Sequence, residues 1–170
     1  GYSRFMIMDT TSHQFAIYNI PTSESWLPYD FVSALALEGD TVWIAIRSNI
    51  WAGYTYLMSY DGTSWVVYND LPFVNHVREI VIDNQKRKWI ATHAGLMMFD
   101  GLNWVNYDVN NSGIPDNDVY SLAIDSNNTI WVGTASGLTK FDGTNWQNIA
   151  LPATNCISNY IFDIALDLNG

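Results

Sequence analysis

The chain has 170 residues, 48% of them hydrophobic, with 8 Trp, 10 Tyr and 7 Phe, and it carries 7 Lys+Arg against 17 Asp+Glu for a formal net charge of −10. That length and apolar content suit a single domain with a substantial core, and the acidic balance excludes the basic footprint on which nucleic-acid and anionic-membrane binding rest. No run approaches the ~18 apolar residues of a membrane-spanning helix, no basic-then-apolar leader opens the sequence, and the single cysteine, Cys156, excludes an internal disulfide without fixing a redox compartment.

In chain order, "FMIMDTTSHQFAIYNIP" at 5–21 reads as two short apolar strands about a polar turn, the back half of a structural unit. "FVSALALEGDTVWIAI" at 31–46 then reads as a front half and "YDGTSWVVYND" at 60–70 as another back half. From there the chain repeats itself. "RKWIATHAGLMMFDGLNW" at 87–104 and "TIWVGTASGLTKFDGTNW" at 129–146 place Trp89 over Trp131, Gly95 over Gly137, Asp100 over Asp142 and Trp104 over Trp146, always 42 residues apart. The same offset carries the run Val77–Asp83 onto Val119–Asp125 and again onto Ile161–Asp167. A fixed period of this length marks a solenoid or a propeller.

Local patterning selects between them. Each unit is a series of short apolar and aromatic runs with no sustained helical period, broken by Asn, Asp and Gly turn signals. In the third whole unit the strands are expected at 119–125, 129–134, 137–142 and 145–150, joined through "DSNN", "ASG" and "FDGTN", whose residues supply the positive φ of tight turns. Four-stranded antiparallel sheets repeated radially are propeller blades. The expected architecture is therefore an all-β propeller with a partial blade at 1–21, blades at 31–70, 77–110 and 119–150, and the first strand of a further blade at 161–170, which pairs with the N-terminal half-blade if the ring closes. The six in-register tryptophans, Trp43, Trp65, Trp89, Trp104, Trp131 and Trp146, are expected to fill the space between neighbouring sheets.

The stretch "VYSLAIDSNNTIWVGTASGLTKFDGTNW" resembles the two-component regulator propeller repeat: a strand, an Asp-rich turn, W-[IV]-G-T, G-L, then an F-D-G turn and an aromatic residue. The resemblance covers about residues 31–170 and implies an extracytoplasmic, periplasmic or secreted, propeller of the kind that forms sensor regions of bacterial hybrid two-component systems, often for glycans. The whole units here are fewer than that family's full ring, so the expectation is a partial or small, about four-bladed, propeller, completed if need be by a second chain.

Function is sought where the repeats disagree. Loops leading into strand one and loops joining strands two and three share one face of a propeller. Trp26 and Trp51 lie outside the repeat and fall in these two loop types; with Tyr54, Tyr56 and Tyr29, and with Asp30 and Arg47 as polar neighbours, they form a candidate rim for stacking on a sugar ring. The residues just before strand one, Asp30, His76, Asp118 and Tyr160, are a second candidate at the mouth of the central channel, and Ser33, Glu79, Ser121 and Asp163 are expected to line it.

Catalytic motifs are missing. His13, His76 and His93 lack metal-ligand spacing, and no G-x-S-x-G elbow, P-loop or dinucleotide fingerprint is present. Glu79 and Asp163 would need a separation of roughly 5–9.5 Å to act as a glycosidase pair. The expectation is a non-enzymatic module without metal or cofactor. Its partner is a glycan or another polar small molecule, or alternatively another protein, with self-association through an open blade edge.

Overall fold

The structure is a computed structural model and describes residues 4–8, 15–19, 31–47, 55–68, 76–151 and 159–167. A two-stranded antiparallel sheet pairs β1 (Arg4–Met8) with β2 (Phe15–Asn19). Three four-stranded antiparallel sheets follow. The first holds β3 (Phe31–Glu38), β4 (Thr41–Arg47), β5 (Thr55–Tyr60) and β6 (Trp65–Tyr68). The second holds β7 (Val77–Ile82), β8 (Lys88–Thr92), β9 (Gly95–Phe99) and β10 (Trp104–Tyr107). The third holds β11 (Val119–Ile124), β12 (Ile130–Thr134), β13 (Gly137–Phe141) and β14 (Trp146–Ile149). Strands pair in sequence order within each sheet, and β3, β7 and β11 lie side by side at the inner edge. Among the described residues this is an unclosed propeller of three complete blades. Segment 159–167 runs beside the third blade, its Ile161 N–H bonded to Thr134 O at 3.0 Å, but it enters no ladder, and β1 and β2 pair only with each other among the described residues.

Burial follows strand position. β8 is buried along its whole length and β4 along all but its ends, because second strands are covered on both faces; the fourth strands β6, β10 and β14 have only half-buried end residues and expose the two between them. One core lies between the first two blades, with Trp43, Leu57, Ile80 and Phe99, and another between the second and third, with Trp89, Leu122, Ile130 and Phe141. Trp43 meets Phe99 of the next blade edge-on at 6.2 Å, and Trp89 meets Phe141 in the same way at 5.9 Å. Trp43 and Trp89 are thus inter-blade packing, as expected of them. Their indole N–H groups are also satisfied: Trp43 donates to Glu38, Trp89 to Asp83 and Trp131 to Asp125, at 2.9–3.1 Å.

The repeated aspartates build the turns. Asp61, Asp100 and Asp142 each accept two main-chain N–H groups with Oδ1, and the glycines that follow, Gly62, Gly101 and Gly143, have φ of 94°, 104° and 97°, which only glycine adopts cheaply. Across each of these turns the flanking aromatics stack: Tyr60 on Trp65, Phe99 on Trp104, Phe141 on Trp146, with centroids 4.4–4.7 Å apart.

Candidate functional site

The inner strands carry a bulge at one recurring position. Ladder partners step from Val77 to Glu79 and from Val119 to Ser121 while the facing strand advances by one residue, leaving Arg78 and Tyr120 as the extra residues; in the first blade the extra residue is Ser33. In a regular strand consecutive side chains point to opposite faces. A bulge re-aims them, and here Arg78 and Glu79, like Tyr120 and Ser121, face the same cavity of about 340 Å³. Phe162 and Asp163 complete its wall from segment 159–167, with Ala34 and Leu35 opposite.

Strand register corrects one sequence expectation. Trp43 bonds an acid five residues before it, whereas Trp89 bonds one six residues before it, because the β3–β4 turn is one residue shorter. The first strand is therefore displaced by one position relative to the simple alignment. Ser33 corresponds to Arg78 and Ala34 to Glu79. Unlike Arg78, Ser33 is not part of the cavity wall; its hydroxyl is bonded to Ala45 O at 3.4 Å, and Ala34 occupies the place expected for it.

An inner strand exposes unpaired main-chain groups along the axis. Two consecutive side chains of β7 satisfy those of β11: Glu79 Oε2 accepts the Leu122 N–H at 2.6 Å, and Arg78 Nη1 donates to Val119 O at 2.8 Å. Burial pushes the Glu79 carboxyl above its ordinary range; the Leu122 N–H opposes this and the nearby Asp163 charge adds to it. Arg78 also pairs with Asp118 Oδ1 at 2.6 Å and lies 4.0 Å over the Tyr120 ring. For Asp118, burial favours the neutral acid, but hydrogen bonds from Arg78 and Tyr120 outweigh it and hold the carboxyl below its usual range. Ser121, only 2% exposed, has no hydrogen-bond partner for its hydroxyl among the described residues.

Aromatic faces close the site. Tyr160 stacks on Phe162 at 5.5 Å, and Tyr120 meets both edge-on at 5.9 and 5.0 Å. Phe162 is 67% exposed and Tyr160 46%. Sequence reasoning places Tyr160 near the channel mouth but passes over Phe162, and over Tyr120 and Arg78, which a regular strand would turn away; for these last two the recurring bulge is the missing signal.

Of the expected site residues, Glu79, Ser121 and Asp163 come together in the cavity wall, and Asp118 and Tyr160 join it through Arg78 and Tyr120. His76 stands near Arg47, Arg78 and His93; burial first, and then these neighbours, lower its pKa and favour the neutral ring. Arg47 ends β4 opposite Thr55, and Tyr56 is half-buried on β5 opposite Ile46. Trp26, Tyr29, Asp30, Trp51 and Tyr54, which carry most of the expected aromatic rim, lie outside the described residues, as do Cys156 and His13. Among the described residues no group of three or more His, Cys, Asp or Glu is placed to hold a metal ion.

Residues 113–136, which include β11, the Asp125 turn and β12, match the family model of the two component regulator propeller. That segment is similar to one repeat of the two-component regulator propeller. Solved structures share the propeller fold. The extracellular domain of the hybrid two component system BT3049 from B. thetaiotaomicron is 21% identical, with a TM-score of 0.58, covering 98% of this chain and 31% of that one. PorZ, a bacterial surface component of the type-IX secretion system of Porphyromonas gingivalis, is 16% identical with a TM-score of 0.62, covering 86% and 23%. A virginiamycin B lyase from Staphylococcus aureus is 12% identical with a TM-score of 0.61, covering 91% and 47%. The chain thus spans less than half the length of each. No curated protein matches its sequence.

Proposed function

We propose that this propeller is a non-enzymatic, extracytoplasmic ligand-binding or sensor module that takes a polar small molecule or the end of a glycan at its axial cavity. One observation carries the reading: an aromatic platform of Tyr120, Tyr160 and Phe162 borders the same cavity as the polar groups of Arg78, Glu79, Ser121 and Asp163. An apolar surface for the ring face beside a few polar groups that fix orientation is what such a ligand requires. The extracytoplasmic setting is supported by the likeness to an extracellular domain of a two component system and to a bacterial surface component. Binding without chemistry is favoured because the Glu79 carboxylate is committed to a main-chain N–H of the next blade.

The test is a thermal-shift screen of neutral and charged mono- and oligosaccharides against the wild type and Phe162→Ala. Phe162 is largely exposed, so its truncation leaves the blade cores intact. A ligand at a hundredfold excess over its Kd stabilises by about 2.7 kcal/mol, worth several degrees in a domain of this size. A stabilising sugar that loses its effect in Phe162→Ala supports the reading. Equal effects on both proteins would place the ligand elsewhere.

A second reading, a protein-contact scaffold, is favoured by the exposed row of Tyr160, Phe162 and Leu166 on segment 159–167. It predicts concentration-dependent self-association in sedimentation velocity that Phe162→Ala weakens, with no sugar response in either protein.

A further inference from the structure

We infer that the axial cavity selects a ligand carrying an ammonium group. This rests on the ligand-binding reading above and narrows it.

Charge and geometry converge on that class. Arg78 is the cation in the wall, and its guanidinium is occupied by Asp118, Val119 O and the Tyr120 ring. Glu79 and Asp163 are left as two carboxylates near enough to raise the Glu79 pKa, and no ion pair to either is formed among the described residues. Glu79 commits one oxygen to Leu122 N–H, and among the described residues the other accepts no hydrogen bond. Two like charges beside a half-buried concavity are stabilised by a cation brought between them.

The wall also supplies what an ammonium ion favours besides carboxylates. Phe162, largely exposed, presents an aromatic surface at the same place, and a ring face attracts a cation. Ser121 contributes the third component. It stands 42 residues after Glu79, where a glutamate would reach toward the next strand as Glu79 reaches toward Leu122; the shorter side chain leaves space at the wall instead. Its buried hydroxyl has no hydrogen-bond partner among the described residues.

Glucosamine, N-acetylglucosamine and glucose separate this inference from the reading beneath it, because they share a ring and differ at C2. Their affinities are measured by calorimetric titration near neutral pH on the wild type, Glu79→Gln and Asp163→Asn. Glucosamine is expected to bind the wild type about tenfold more tightly than glucose or N-acetylglucosamine, with the preference falling to within about twofold in either variant. Equal binding of all three, abolished by Phe162→Ala, would overturn the ammonium selectivity and leave the ligand-binding reading in place. A preference for the neutral sugars, or for an anion in the wider screen, would overturn it as well. Silence of the three together with silence of the whole screen, on folded protein, would overturn both.

Discussion

Glu79 Oε2 accepts the main-chain N–H of Leu122 at 2.6 Å, so a side chain of the second blade closes a hydrogen bond that the inner edge of the third would otherwise leave open. The bond fastens two blades and holds a carboxylate at the cavity wall. The two roles respond differently to substitution. Glu79→Ala leaves the Leu122 N–H without an acceptor and is expected to cost about 1–3 kcal/mol in denaturant unfolding. Glu79→Gln keeps an acceptor but removes a desolvated charge beside Asp163, and it is expected to raise the melting temperature at pH 7.

The pH dependence of that gain has a definite sign. A carboxyl whose pKa is raised by folding favours the native state most below its unfolded pKa, and that contribution is lost as pH rises through the folded value. The advantage of Glu79→Gln over wild type should therefore be largest at neutral pH and shrink as the pH falls through the raised pKa. Melting curves at several pH values check this. An advantage that grows in acid would contradict it.

Asp83 behaves in the opposite way. Its side chain is fully buried and receives Trp89 Nε1 at 2.9 Å, Arg87 Nε at 2.6 Å and the main-chain N–H groups of Gln85 and Arg87. Burial alone would raise its pKa, but these bonds together hold it below the ordinary carboxylate range. Its stabilisation is present above the unfolded carboxyl pKa and lost as pH falls through the lowered value. Asp83→Asn removes the charge that Arg87 and Trp89 address and is expected to cost about 3 kcal/mol. Trp89→Phe, which keeps most of the packing, should cost less than Trp89→Ala at about 3–5 kcal/mol. Chemical denaturation of the three variants gives the order.

Gly133 links blade and site. A Cβ there would lie 2.6 Å from both Ile161 Cγ2 and Ser121 Oγ and 2.9 Å from Ile161 O. Gly133→Ala must therefore displace segment 159–167 from the third blade, carrying Phe162 and Asp163 out of the cavity wall. Faster hydrogen exchange at the Ile161 amide, which is bonded to Thr134 O, and loss of any ligand response are the expected outcome. Unchanged protection of that amide would show that the segment does not depend on the close approach.

The blades were legible in the sequence because the repeat is written in side chains with separate physical duties: tryptophan between sheets, aspartate over its own turn, glycine at positive φ. The strands of the third unit begin and end within a residue or so of where the turn residues put them. The site was half legible. Glu79, Ser121 and Asp163 follow from period alone, but Arg78 and Tyr120 reach the same cavity through a bulge, a feature of ladder pairing that no side-chain pattern announced, and Phe162 reaches it from segment 159–167, which lies outside the ladders. Ser33 was misplaced for a related reason. A turn shorter by one residue between Glu38 and Trp43 shifts the strand before it, so that Ala34 and not Ser33 stands at the Glu79 position.

The most direct measurement of the axial-site claim is an amide nitrogen–proton correlation map of the wild type with and without glucosamine. The expected changes centre on Glu79, Tyr120–Leu122 and Ile161–Asp163, the residues of the two inner strands and the adjoining segment that share the cavity. Saturable changes confined to the outer strands β6, β10 and β14, with the inner strands silent, would contradict it.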